Sequence, residues 1–219
     1  MGDYSLNESA YRAKLAVRGV GYSWGVADDA ARALHWLSLR GIDGFAALSA
    51  VLTDIDSNLL GAPTELTEIW QCEQSALCPI ISGICVSDCA SQVIQMQSVK
   101  LNSLAHPILM LPFMSDVAAR HNCRLHLNCS VFEALVSKDE VAIKGDATIS
   151  RANKALISCA DQLASSSDSA MNIYSQTESR VSIDAPIWHQ LGEFAHRTYA
   201  PATEQSRLLG AGAGVVDSD

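Results

Sequence analysis

The hydrophobic pattern of the first residues predicts a helix with a well-defined start. Ser5 and Glu8 stand at the two ends of a Ser-x-x-Glu capping box, in which each side chain bonds to the other residue's backbone amide. The helix is predicted to run to about Val17, because Gly19 and Gly21 then interrupt the pattern.

Two further helices are predicted in the first quarter of the chain. Ser23 is placed to cap a second helix, and apolar residues recur at helical spacing through residues 26–37. Gly41 supplies a C-cap, and Asp43 is a candidate cap for a third helix that ends near Leu52.

From about residue 79 the pattern predicts strands. Residues 80–86 form a short apolar run, and residues 93–101 alternate between apolar and polar side chains. Residues 123–129 alternate more cleanly, residues 131–145 resemble a hairpin, and residues 154–159 resemble another strand.

The last predicted elements are two helices that each carry a proline near their first turn. One follows a strand or bend and contains Pro112; the other is capped by Asp184 and ends near Arg197. This order predicts an α+β fold, with a helical N-terminal part followed by a mixed or antiparallel sheet with flanking helices. We interpret residues 1–219 as a single domain, in which residues 1–60 are a candidate helical subdomain.

Composition and charge narrow the class of partner. Hydrophobic residues make up 48% of the 219 residues and charged residues 18%, which suits a folded core and not a disordered chain. The formal net charge of −9 without a basic cluster argues against nucleic acid. The longest apolar run is too short for a membrane span, and no signal peptide is recognised, so we expect a cytoplasmic protein without a membrane partner.

The seven cysteines do not predict a metal site or a disulfide framework. Only Cys85 and Cys89 have a spacing that zinc ligands use, and no second pair accompanies them. We expect free thiols that pack as small hydrophobic groups.

No catalytic or cofactor motif is recognised. The glycines of residues 19–25 have one spacer too many for a dinucleotide-binding loop, and they follow a predicted helix, so we expect neither NAD nor another cofactor. His189 and His196 are one heptad apart and share a helix face, but scattered histidines of this kind are more often hydrogen-bonded than metal ligands. Cys89 ends the apolar run as a candidate nucleophile, yet no base is recognisable beside it.

The glycine-rich corner of residues 18–25 allows two interpretations. In the structural one, Arg18 caps helix carbonyls, Trp24 fills the core and the glycines form a helix–helix corner. In the functional one, Trp24 forms the wall of a pocket, and amides at the start of the second helix receive an anion.

Residues 203–219, the C-terminal tail, also allow a structural and a functional interpretation. Alternating glycine and alanine are typical of a frayed end. Ser206 and Arg207 could instead hold a carboxylate or phosphate, and the apolar Val215 and Val216 favour burial.

The corner and the tail together resemble an uncharacterised bacterial family, a domain of unknown function. The first matching segment is Arg-Gly-x-Gly followed by Trp-Gly, at Arg18 to Gly25. The second is Thr-Tyr-x-Pro-Ala, then Ser-Arg and Gly-Ala-Gly-Ala-Gly, at Thr198 to Gly214. The resemblance implies no activity, but it favours an ordered tail.

Two hypotheses about function follow. In the first, the two segments form a binding or catalytic site for a small anionic molecule, with the arginines holding the charge, the aromatic residues as walls and Glu204 as the local acid. Its candidate residues are Arg18, Trp24, Tyr199, Glu204, Ser206, Arg207, Gly210 and Gly212. In the second, the protein is a non-catalytic interaction protein, and the same segments lock the terminus onto the N-terminal helices or onto a second subunit of a homo-oligomer.

Overall fold

The computed structural model describes residues 1–160 and 171–199, and the helices below are those of this part of the chain. A one-turn 3-10 helix, Pro107–Met110, precedes α6. The α-helices are α1 (Leu6–Gly19), α2 (Trp24–Ser38), α3 (Phe45–Asp56), α4 (Pro79–Asp88), α5 (Ala90–Met96), α6 (Leu111–His121) and α7 (Ala185–His196). Within these described residues, no helix is both long and apolar enough to span a membrane.

The strands form one large mixed sheet and one small antiparallel pair. They are β1 (Gly2–Ser5), β2 (Leu60–Gly61), β3 (Ile69–Trp70), β4 (Ala76–Leu77), β5 (Ser98–Ala105), β6 (Arg124–Asn128), β7 (Phe132–Val136), β8 (Val141–Gly145), β9 (Arg151–Ala160), β10 (Asn172–Tyr174) and β11 (Arg180–Ile183). The large sheet has the order β10-β8-β7-β6-β9-β5-β4-β2, with β3 also paired to β5, and β1 pairs with β11. The fold is therefore α+β, as predicted.

The caps predicted for the first three helices are confirmed by hydrogen bonds, whereas Asp184 stands at the N-cap of α7 without a capping hydrogen bond from its side chain. The Glu8 amide donates to Ser5 Oγ at 3.2 Å, and the Val26 amide donates to Ser23 Oγ at 3.3 Å. Asp43 lies one residue before the N-cap of α3, yet its carboxylate accepts from the Phe45 amide at 2.9 Å. Each cap satisfies an amide that the first helical turn leaves without a partner.

The central strands follow the predicted alternation. In β6, Leu125 and Leu127 are buried while Arg124, His126 and Asn128 are half-buried on the other face. The predicted hairpin is formed by β7 and β8, and the Ser137 amide donates to the Glu140 carbonyl across the turn at 2.9 Å. One face of the sheet therefore packs on the helices, and the other carries mostly polar side chains.

The strand predicted for residues 80–86 is wrong, because these residues form helix α4. Pro79 stands at the first turn of α4, and Gly83 lies so close to the Phe113 ring that a Cβ would overlap it. A short apolar run buried on several sides has no period that separates helix from strand. Residues 93–96 likewise belong to α5, so the strand predicted for 93–101 begins only at Ser98.

The pairing of β1 with β11 has no counterpart in the predictions. It joins Gly2 to Ile183 across almost the whole chain, and Arg180 Nε donates to Asp3 Oδ2 at 2.6 Å. Four-residue strands carry too little alternation for recognition.

Candidate functional site

Arg18 forms a hydrogen bond across the corner between α1 and α2. Its Nη1 donates to the Tyr22 carbonyl at 2.8 Å, across the loop that joins the two helices. Gly21, within this loop, has φ of +103°, a backbone conformation that other residues seldom adopt. Arg18 therefore fastens the loop and does not cap the last carbonyls of α1, which the structural interpretation predicted.

Gly19 is required by packing and not by its backbone conformation. A Cβ at this position would overlap the carbonyl oxygen of Phe194 in α7 and would stand 2.7 Å from the carbonyl carbon. The α1 and α7 backbones thus touch at this point. Gly25, in the first turn of α2, has only Ser23 Oγ near its missing Cβ, at 3.9 Å.

Trp24 does not fill the core, contrary to the structural interpretation, because 49% of it is exposed. Arg18 Cζ lies 5.4 Å and Lys14 Nζ lies 5.6 Å from the centre of its ring. Both distances fall within the range in which a cation is attracted to an aromatic face. Lys14 also forms an ion pair with Asp28 at 2.5 Å.

Tyr22 connects the corner to the sheet. Its hydroxyl donates to Cys78 Sγ at 3.5 Å, and Cys78 is fully buried at the end of β4. Burial, together with the neighbouring thiol, raises the pKa of the Tyr22 hydroxyl far above its usual value. Tyr22 is therefore neutral and serves as an anchor.

Tyr199 follows the end of α7, at the same end of the helix pair as the corner. Gly19, at the end of α1, lies against Phe194 and Ala195, near the end of α7. Tyr199 follows these residues by about one helical turn, and its amide donates to the His196 carbonyl at 3.1 Å. The Tyr199 ring lies edge-on to His196, with 60% of the residue exposed. The other predicted site residues lie outside the described residues: Glu204, Ser206, Arg207, Gly210 and Gly212.

A groove on the outer side of α1 and α7 contains the two heptad-spaced histidines. His189 and His196 both line it, which agrees with the shared helix face that their spacing predicts. Trp188 stacks on Tyr4 with ring centres 3.8 Å apart, and Arg12 covers the same ring at 4.2 Å. These contacts fix α7 against α1 and the N-terminal strand.

A cleft of about 500 Å³ between α2 and α6 is acidic at its rim. Asp29 and Asp116 both line it, and Asp29 forms an ion pair with Arg32. Burial raises the pKa of Asp116 despite the nearby Arg120 and Arg32. Three carboxylates, Asp28, Asp29 and Asp116, line the cleft beside one arginine, Arg32, so its charge does not match the anionic ligand that the sequence predicts.

The cysteines carry free thiols. Cys78 and Cys129 are buried, and the other five are half-buried. Cys89 follows the end of helix α4, not the end of a strand as predicted. Among residues 1–160 and 171–199, no three metal-ligating side chains come together in a group.

Comparison with known proteins finds a family model that matches part of the chain. No curated protein matches the chain significantly. A crystal structure of malate dehydrogenase from Entamoeba histolytica is similar with a TM-score of 0.43 and 12% identity, over 65% of this chain and 45% of that one. A likeness this weak carries no argument about function. Residues 4–92 match the model of a family described as "Protein of unknown function (DUF3726)", so the resemblance to a domain of unknown function is confirmed for this part of the chain. The second segment of the resemblance, Thr198 to Gly214, lies outside the match and stays a prediction.

Proposed function

We propose that the protein binds a small anionic organic molecule at the corner between α1 and α2. The observation that supports this proposal is the meeting of two cations, Arg18 and Lys14, at the half-exposed ring of Trp24. Lys14 is already paired with Asp28, so Arg18 is the cation that remains for a ligand: it bonds to a backbone carbonyl and, among the described residues, to no carboxylate. In a chain of net charge −9, such an arginine beside a half-exposed aromatic ring favours an anionic ligand.

The side chains of the corner have distinct roles in this proposal. An arginine has five N–H donors, and among the described residues Arg18 uses one nitrogen for its bond to Tyr22. The remaining donors bind the anionic group of the ligand, Trp24 forms one wall and Tyr199 forms a second. Ser206, Arg207 and the amides of the tail glycines complete the site, and Glu204 is its local acid.

A thermal-shift screen of the full-length chain tests the proposal. The panel is citrate, succinate, benzoate and phenyl phosphate, and a ligand at a hundred times its Kd stabilises the folded state by about 2.7 kcal/mol. We expect at least one panel member to stabilise the wild type, and Arg18→Gln or Arg207→Ala to lose that stabilisation.

Arg32→Gln is the matched control, because it removes the same charge from an exposed position on α2. It should retain the stabilisation. A panel without any stabiliser, or equal stabilisation of all four proteins, would contradict the proposal.

The second candidate function is that of a non-catalytic interaction protein in which the corner is structural. The backbone contact between Gly19 and Phe194 favours it, because this contact joins α7 directly to α1. If it is correct, Arg207→Ala changes the thermal stability or the oligomeric state, measured by light scattering, and the panel stabilises nothing.

A further inference from the structure

The open face of the large sheet contains a cleft of about 580 Å³, far along the chain from the corner residues. It lies across β3, β5, β9 and β6. Its lining residues are Ile69, Lys100, Leu101, Asn102, Asn128, Ser130, Lys154, Ala155 and Leu156. The volume falls in the range of about 300–1,000 Å³ that is usual for small-molecule sites.

The strand pairing places the apolar Leu156 between polar side chains of the two neighbouring strands. Leu156 in β9 pairs with Lys100 in β5 on one side and with Asn128 in β6 on the other. Ile69 in β3 pairs with Lys100 from the far side and is exposed. The paired residues Ile69, Lys100, Leu156 and Asn128 therefore form a row across the strands in which apolar and polar side chains alternate.

Two lysines from neighbouring strands stand on this face. Lys154 pairs with Asn102, and it is two residues from Leu156, the partner of Lys100. Lys100 and Lys154 are therefore diagonal neighbours, about 7–8 Å apart at their backbones. Both are exposed, and within the described part of the chain neither forms an ion pair with a carboxylate.

The nearest carboxylate of the same row belongs to Glu133 in β7, and it is turned toward other groups. Glu133 Oε1 accepts from Asn128 Nδ2 at 3.4 Å, and Oε2 lies 3.8 Å from His126 Nε2. The positive end of the cleft is thus the β5–β9 side, and the negative charge of Glu133 lies beyond Asn128.

We propose that this cleft is a second binding site, for a small organic anion that combines a phosphate or carboxylate group with an apolar body. The two ammonium groups hold the charge, and Asn102 offers a neutral amide beside them. The apolar body covers Leu156 and Ile69. A lysine is a point charge that does not select between phosphate and carboxylate geometry, so both chemistries belong to the class. This inference is independent of the site at the corner.

Isothermal titration of the full-length chain with phenyl phosphate, benzoate and inorganic phosphate tests the inference. We expect phenyl phosphate or benzoate to bind saturably, and the double variant Lys100→Gln/Lys154→Gln to bind at least tenfold more weakly. The control Lys138→Gln/Arg32→Gln removes two positive charges outside the cleft and should change the affinity less than twofold. Phenyl phosphate should bind several-fold more tightly than inorganic phosphate, and Leu156→Thr should reduce that preference.

Three results would overturn the inference. One is no saturable binding of any probe up to about 10 mM, ten times the upper end of usual KM values near 1 mM. Another is equal affinity of the wild type and the Lys100/Lys154 double variant. The third is binding that Arg18→Gln abolishes and the double variant retains, because the probe would then occupy the corner and support only the proposed function. The far-ultraviolet circular dichroism of each variant confirms that it folds.

Discussion

Replacing Gly19 with alanine should separate α1 from α7 at their closest backbone contact. The added methyl group would overlap the Phe194 carbonyl oxygen, which belongs to a helix and cannot rotate away. Overpacking typically costs about 1–3 kcal/mol, and overlap with a fixed backbone oxygen places this site at the upper end, about 2–3 kcal/mol, whereas the better helix propensity of alanine returns about 1 kcal/mol. We therefore expect a net loss of roughly 1–2 kcal/mol, or a decrease in Tm of about 2–8 °C for a chain of this size.

Equilibrium unfolding in urea measures this loss, with Gly25→Ala as the matched control. Gly25 is also helical, but an added Cβ would meet nothing closer than Ser23 Oγ at 3.9 Å. It should leave the stability unchanged or raise it by up to about 1 kcal/mol. A Gly19→Ala variant as stable as the wild type, or a Gly25→Ala variant that loses as much stability, would contradict this prediction.

Three further predictions concern the loop, a buried arginine and a buried thiol. Gly21→Ala should cost about 1–3 kcal/mol through backbone strain at φ +103°, although nothing crowds the site, and urea unfolding measures it. Arg40 is only 3% exposed, lies over Trp36 and donates to the Asp139 carbonyl at 3.3 Å, so Arg40→Met should increase hydrogen exchange in the β7–β8 hairpin. Burial raises the pKa of Cys129 to about 12, so the folded state keeps its proton longer than the unfolded chain. Stability should fall from about pH 9 toward pH 12, by up to about 1.4 kcal/mol per pH unit, and less steeply in Cys129→Ala.

Local sequence signals predicted the structure correctly where a side chain bonds to a backbone group a few residues away. Ser5 and Ser23 cap their helices because the accepting hydroxyl and the amide are three residues apart, a relation visible in the sequence. The alternation of β6 and the β7–β8 hairpin are local in the same sense. The single-domain interpretation stays a prediction.

The features that the sequence could not predict depend on contacts between residues far apart in the chain. The need for glycine at position 19 depends on where α7 crosses α1, a contact 175 residues away along the chain that no local pattern encodes. The cleft on the sheet depends on Leu156 pairing with both Lys100 and Asn128, which places three distant segments side by side. In the sequence, a single lysine in a predicted strand indicates only an ordinary solvent-facing residue and does not predict a cleft. The predictions for 203–214 concern residues that the structure does not describe.

The indole N–H resonance of Trp24 tests the proposed function most directly. Trp24→Phe assigns the signal in the nitrogen–proton NMR spectrum of the full-length chain, and citrate, succinate, benzoate and phenyl phosphate are titrated in turn. We predict that at least one acid shifts the resonance saturably in the wild type and in Arg32→Gln, and not in Arg18→Gln. A resonance that no acid moves, or that moves equally in all three proteins, would contradict the account.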